Sequence, residues 1–187
     1  MVRTIALIGG ESSGKTTLAS ELADSLASAN SVAVTNEVLR DFVAKEGRPP
    51  NVHEQSAILK LQIQAEADCA RKVMGDNDWD VDPGGAFVIA DPSVLMTAVY
   101  SILYFDDDSL IKSAVRHARG YDLHIWCMGD FEWLPEPGVR DGASFRTKAE
   151  QIIDRIAVTH SLDLLKVNGP LENRAIQVED ALASMGM

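Results

Sequence analysis

The sequence predicts an α/β domain in which a parallel five-stranded sheet carries helices on both faces. Three observations lead there. Five short apolar runs, at 2–8, 31–35, 86–91, 122–128 and 162–167, alternate with stretches of helical periodicity. That alternation is how parallel strands are joined by crossover helices that bury both faces of the sheet. The first run leads directly into a glycine-rich loop, "GGESSGKTT" (9–17), and then into a helix. The chain has 187 residues, of which 46% are hydrophobic. That is enough for one full core and typical of a globular domain.

The elements follow in order. "VRTIALI" (2–8) reads as a buried strand. In the helix after the loop, Leu18, Leu22 and Leu26 recur every four residues with Ala19 and Ala23 beside them, which makes one apolar face. "SVAVT" (31–35) is the second strand. "NEVLRDFVAKEG" (36–47) begins a helix that should stop at Gly47, ahead of Pro49-Pro50. Asn51 and Glu54 have the spacing of a capping pair. The long helix beyond them carries Leu61, Ala65, Cys69 and Val73 on one face, and its other faces include the polar residues Gln62, Gln64, Glu66 and Asp68. Residues 75–85 form a polar loop. "AFVIAD" (86–91) is a buried strand ending in a carboxylate, and helices follow at about 94–104 and 107–119. "DLHIWCM" (122–128) is the fourth strand. The stretch 129–143 is rich in Gly, Pro and charge and reads as an irregular flap. Residues 144–159 are helical, and "LDLLKV" (162–167) is the last strand. Asn168-Gly169-Pro170 is a turn, and 171–185 a terminal helix. The whole of 1–187 reads as one domain with the flap at about 129–146.

The loop carries the chemistry. Gly9, four residues, then Gly14-Lys15-Thr16 fits G-x-x-x-x-G-K-[ST], the phosphate-binding loop. Glycines let the backbone curl so that successive N–H groups face a phosphate chain. The helix N-terminus adds unpaired N–H groups and its positive dipole end. Gly9, Gly10, Glu11, Ser12, Ser13, Gly14, Lys15, Thr16 and Thr17 are therefore the expected nucleotide-binding residues. Lys15 would reach the β- and γ-phosphates, and the Thr16 hydroxyl would hold Mg²⁺. A plain Gly/Ser turn is the alternative, but the strand before and the helix after are the context the motif requires. ATP with Mg²⁺ is the expected cofactor. The sequence has no N-K-x-D for guanine, and its D-x-x-G, Asp82 to Gly85, precedes a strand where a GTPase would place it after one.

The formal net charge is −11, with no basic patch, so nucleic acid is not an expected partner. ATP is still compatible, because its phosphates meet local N–H groups, one lysine and a metal. No apolar run reaches the length of a membrane span. The N-terminus reads as strand and phosphate loop and not as a leader, which points to the cytoplasm. Cys69 and Cys127 have neither metal nor redox spacing and read as small core residues. The four histidines have no metal spacing and receive no role.

Three further positions could carry chemistry. Asp91 ends a strand downstream of the loop, where a second acidic group would serve Mg²⁺, since strand carboxyl ends face the ligand crevice. The alternative is a strand-ending Asp in an Asp-Pro turn. Glu37 follows the second strand and could take the proton from an acceptor hydroxyl. Arg40, one helical turn on, could hold it; a surface ion pair is equally compatible. Arg140 and Arg146 lie in or just after the flap, where arginines would cover and neutralise a transferred phosphate. Ordinary solvated arginines are the alternative. Trp133, in the same flap, could pack on a base or ring.

With these residues in view the sequence resembles a known family. "IALIGGESSGKTTL", "NEVLRDFV", "VIADPSVLMTAVYS" and the pattern W-L-P-E-P-G-V-R occur in the order found in the ribosylnicotinamide kinase domain of NadR-like proteins, within the small AAA-type P-loop ATPase/kinase group. The resemblance implies a P-loop NTPase fold like the nucleoside monophosphate kinases, with a flap or lid. It implies transfer of phosphate from ATP to the 5′-hydroxyl of nicotinamide riboside, a step of NAD biosynthesis. Carried over by position, Gly9 to Thr17 bind ATP and Mg²⁺, Asp91 serves the metal, and Arg140 and Arg146 match the flap arginines. The sequence departs from the family pattern at Pro137-Gly138, where the family has Asp-Gly, and at Ile89 and Ala90, where it has another acidic residue. The DNA-binding and adenylyltransferase domains of the regulator have no counterpart here, so no repressor role is implied. Two other readings stay open. One is a kinase for another nucleoside-like or small hydroxyl compound; the other is a P-loop ATPase acting as a switch with no small acceptor.

Overall fold

The computed structural model describes residues 1–75, 85–131 and 143–186. Five strands, β1 (Val2–Ile8), β2 (Ser31–Val34), β3 (Ala86–Ala90), β4 (Leu123–Cys127) and β5 (Leu165–Val167), form one parallel sheet in the order β2-β3-β1-β4-β5. The helices are α1 (Lys15–Leu26), α2 (Val38–Glu46), α3 (Gln55–Met74), α4 (Val94–Phe105), α5 (Ile111–Ala118), α6 (Ala143–His160) and α7 (Leu171–Ser184). The expected α/β sheet is present.

Strand alternation decides which helix covers which face. Ile5 and Leu7 of β1 pack with Leu18 and Leu22 of α1 and with Val178 and Leu182 of α7. Ala6 and Ile8 point the other way, into a core shared with α4, α5 and α6. Each fully buried Leu, Ile or Val contributes about 1.5–3 kcal/mol relative to exposure. Both faces of β1 are therefore fixed, and so is the position of the loop at its end. In register, Ala6 lies opposite Ala90 and Ile89 opposite Val34. The residues that follow β1, β2 and β3 thus emerge side by side at the carboxyl edge. There the chain reverses its direction of travel across the sheet, which is where open α/β sheets form a crevice.

The structure corrects the sequence reading in three places. On α3, Leu61 is 53% exposed, whereas Gln62 and Glu66 are 3% and 6% exposed. The polar pair faces inward because each finds a buried partner. The Gln62 amide donates to the Pro92 carbonyl at 3.0 Å. Glu66 accepts from the Tyr121 hydroxyl at 2.8 Å and pairs with His117 Nε2 at 2.7 Å. His117 therefore has a structural partner that its lack of metal spacing did not suggest. Second, β5 begins at Leu165 and not at 162, because the Leu162 N–H still closes the end of α6 on the Ala157 carbonyl at 3.0 Å. Third, α5 begins at Ile111, since Asp107 turns the chain by accepting from the Ser109 N–H at 3.0 Å. Gly47 ends α2 with φ +69°, as expected of a left-handed C-terminal glycine. The Asn51/Glu54 capping box is formed and leads through one 3-10 turn into α3. Among the described residues no helix is long and apolar enough to cross a membrane.

Candidate active site

Residues 9–14 join β1 to α1 and close into a cradle. A Cβ on Gly9 would lie 2.5 Å from Ser13 Oγ and 2.6 Å from the Cys127 carbonyl oxygen, and φ there is +152°. Only glycine fits. Gly14 enters α1 at φ +81°. Lys15 bends back over the cradle, its ammonium donating to the Gly9 and Gly10 carbonyls at 2.9 and 2.8 Å. Burial lowers its pKa, against the attraction of Asp91, Cys127, Glu37 and Glu11. The hydroxyls of Ser12 and Ser13 are buried with no hydrogen-bond partner. Buried polar groups are nearly always paired. Two unpaired hydroxyls, a folded-back lysine and a helix N-terminus make a donor set that fits a phosphate chain.

Asp91, 6% exposed, sits at the end of β3 beside this cradle. Its backbone N–H donates to Thr35 Oγ1 at 3.0 Å, which ties the ends of β2 and β3 together. Burial raises its carboxyl pKa; a hydrogen bond from the Thr16 hydroxyl, then Lys15 and Arg40, pull it part of the way back. An adjacent hydroxyl and carboxylate beside a phosphate cradle are hard oxygen ligands of the kind Mg²⁺ takes together with phosphate oxygens. The residues present fit that ion: Thr16 and Asp91 would hold it. Thr17, next on α1, is exposed.

Glu37 occupies the cap position of α2 and pairs with Arg40 at 3.0 Å. The Arg40 side chain is 70% exposed, so the pair is a surface one, but Glu37 also acts on Lys15 and on Tyr100. Tyr100, on α4, has its hydroxyl pKa pushed up by burial and by the charges of Glu11, Glu37 and Asp91. One turn on, the Tyr104 hydroxyl donates to Glu11 at 3.5 Å, and its ring stacks on Phe145 of α6 at 5.7 Å. Sequence reasoning missed both tyrosines. In "VIADPSVLMTAVYS" they read as part of an apolar helix, and only the fold brings α4 alongside the loop.

Arg146 reaches the cradle from α6. A Cβ on Gly10 would meet its Cγ at 2.8 Å, and its Nη1 is buried without a partner. Arg140, Trp133 and Pro137-Gly138 lie outside the described residues. Arg174 was also missed. It donates to the Ser13 carbonyl at 2.9 Å from the first turns of α7. The available signal was its place on the apolar stripe of Leu171, Ala175, Val178 and Leu182, where an arginine is out of pattern.

With this geometry in place, residues 4–174 match the family model described as an AAA domain. The chain belongs to the AAA domain family. A search of curated proteins found no match. Among solved structures, this AAA domain is similar to NadR protein in complex with NR, at 17% identity and TM-score 0.69. It is also similar to NadR protein in complex with NAD and AMP-PNP, at 19% identity and TM-score 0.70. All of this chain is covered in both, but it spans only 50% of those longer chains. Thymidylate kinase from Ehrlichia chaffeensis is similar at 15% identity and TM-score 0.68, over 97% of this chain and 98% of that one. These likenesses are of fold. The AAA domain has a P-loop architecture shared with nucleotide kinases.

Proposed function

We propose that this AAA domain is an ATP-dependent kinase for a small hydroxyl compound, and that its acceptor is the 5′-hydroxyl of nicotinamide riboside. The observation that carries the reading is the grouping beside the phosphate loop. The charges of Glu11, Glu37 and Asp91 act on both Lys15 and the Tyr100 hydroxyl, and Tyr104, which donates to Glu11, stacks on Phe145. Acidic charge with aromatic faces suits a flat cation. The pyridinium ring of nicotinamide riboside is one, and a neutral nucleoside base is not. The structural likeness to a NadR protein in complex with NR supports the same choice.

In this reading the cradle and Lys15 hold the β- and γ-phosphates, and Lys15 leaves its carbonyl partners to do so. Bound Mg²⁺ would supply charge neutralisation across the phosphate oxygens. Glu37 accepts the proton of the attacking hydroxyl, which is worth about 10²–10⁴-fold in rate. Arg40 orients it. Arg146, which packs against Gly10 of the loop, is assigned to the transferred phosphate, and Arg140 to the same task. The whole of 1–187 acts as one kinase domain, working in the cytoplasm where ATP is supplied.

The test measures ATP consumption with Mg²⁺, alone and with a panel of nucleosides and ribosides. Consumption that depends on nicotinamide riboside is expected. Brisk hydrolysis without any acceptor, unchanged by the panel, would support an ATPase switch instead. Preference for another acceptor would keep the kinase and correct its substrate.

A further inference from the structure

Arg174 is the largest of the fully buried side chains among the described residues, 1% exposed. A buried charge is tolerated only when its donors are used. These reach three separate segments. Nη1 donates to the Ser13 carbonyl at 2.9 Å and Nε to the Gly169 carbonyl at 2.7 Å. Nη2 donates to the Met128 carbonyl at 2.9 Å and pairs with Asp130. The second Asp130 oxygen accepts from the Gly169 N–H at 2.6 Å. Phe131 lies over the guanidinium at 4.3 Å, and a Cβ on Gly14 would stand 3.2 Å from its ring. One guanidinium thus joins the phosphate loop, the chain leaving β4 and the turn after β5.

The bond to Ser13 has a directional consequence. A trans peptide is planar, so the Ser13 C=O and the Gly14 N–H point in opposite directions. Drawing the carbonyl out toward α7 turns the Gly14 N–H away from Arg174, toward the cradle. Gly14, at φ +81° and ψ 16°, continues that peptide into α1. An aliphatic residue would fill the same stripe of α7 with less desolvation, but it could not hold three backbone carbonyls.

We propose that Arg174 is a positioning residue: it fixes the Ser13–Gly14 peptide so that the Gly14 amide is set for phosphate before any nucleotide arrives. The inference rests on the phosphate-binding part of the proposed function. It predicts that losing the guanidinium fork weakens binding of any polyphosphate, whatever base or acceptor is attached.

The experiment compares wild type, Arg174→Lys, Arg174→Met and, as a stability control, Val178→Ala on the same face of α7. Titration calorimetry gives the affinity for ATP and for inorganic tripolyphosphate, thermal unfolding gives stability, and the amide resonance of Gly14 is followed in the ligand-free proteins. Losing charge-assisted bonds to the loop should weaken both ligands about 10- to 100-fold in Arg174→Lys and Arg174→Met, and shift the Gly14 resonance. Val178→Ala should lose stability while keeping wild-type affinity and Gly14 shift. Should the Arg174 variants fail to fold, Asp130→Asn removes the orienting charge at constant size and should show the same direction on a smaller scale. Wild-type affinity in a folded Arg174→Lys or Asp130→Asn protein overturns the proposal. So does an equal affinity loss in Val178→Ala, because affinity would then merely follow stability. If wild type binds neither ATP nor tripolyphosphate, the phosphate-binding reading itself fails.

Discussion

Gly9→Ala and Gly47→Ala make the same chemical change at two positive-φ glycines and should have very different effects. At Gly9 the added methyl would sit 2.5 Å from Ser13 Oγ and 2.6 Å from the Cys127 carbonyl oxygen, with φ at +152°. The serine hydroxyl can rotate away, but the carbonyl belongs to the last residue of β4 and cannot. Backbone strain of about 1–3 kcal/mol and overpacking of about 1–3 kcal/mol together give a loss of roughly 2–6 kcal/mol. In a domain of this size that lowers Tm by roughly 5–20 °C. At Gly47 nothing lies within 4 Å and φ is +69°. Only the left-handed strain of about 1–2 kcal/mol remains, roughly 2–8 °C. The assay is thermal unfolding of both variants with ATP titration alongside. Gly9→Ala should lose ATP affinity as well as stability, and Gly47→Ala should keep its affinity. If Gly9→Ala unfolds within about 1 °C of wild type and binds ATP equally well, the cradle geometry is refuted.

Three further outcomes are expected. Lys15→Ala should abolish turnover while leaving the fold intact, because among the described residues its ammonium hydrogen-bonds to the Gly9 and Gly10 carbonyls of its own loop; activity in a folded Lys15→Ala protein would count against the phosphate-loop reading. Burial holds the Asp91 carboxyl above its usual range, so folding favours its protonated form. That stabilisation is complete below the unfolded carboxylate pKa, about 4, and is lost as pH rises through the folded value. Metal-free Asp91→Asn should therefore melt above wild type at neutral pH, with the gap closing as the pH falls, while Mg²⁺-dependent turnover drops; a gap independent of pH would contradict this. Glu66→Ala takes the carboxylate acceptor from the buried Tyr121 hydroxyl, which still accepts from the Val94 N–H at 3.4 Å, and the partner from the partly exposed His117; it should cost about 1–3 kcal/mol in urea unfolding, whereas an unchanged midpoint would show that the cluster does not hold α3 to α5.

The phosphate loop was legible because everything that defines it is local. Its glycines, lysine and threonine lie within nine residues, between a strand and a helix with clear periodicity. The placing of Asp91 near Thr16 followed from the rule that parallel strands present their carboxyl ends to one crevice, whereas the order of the strands, which is set by long-range pairing, was not read from the sequence. The inward face of α3 was not legible, because apolar counting treats Gln62 and Glu66 as solvent-facing. Their partners, Pro92 and Tyr121, are 30 and 55 positions away. Tyr100 and Tyr104 were hidden for a related reason: on an apolar helix an aromatic residue with a polar tip reads as core until a neighbouring carboxylate is seen. Arg174 was the detectable omission. A cation on an apolar stripe asks for buried acceptors, and the acceptors here are main-chain carbonyls that no side-chain pattern reveals.

Transfer of a phosphoryl group to a riboside is read out by following the γ-phosphate. Wild type and Glu37→Gln would each receive γ-labelled ATP, Mg²⁺ and nicotinamide riboside, with products separated by chromatography and ATP affinity measured in parallel. Label in nicotinamide mononucleotide is expected with wild type. About 10²–10⁴-fold less is expected in Glu37→Gln at nearly unchanged ATP affinity. Label appearing only as free phosphate with wild type would contradict the kinase reading, and equal transfer by Glu37→Gln would remove Glu37 from the chemistry.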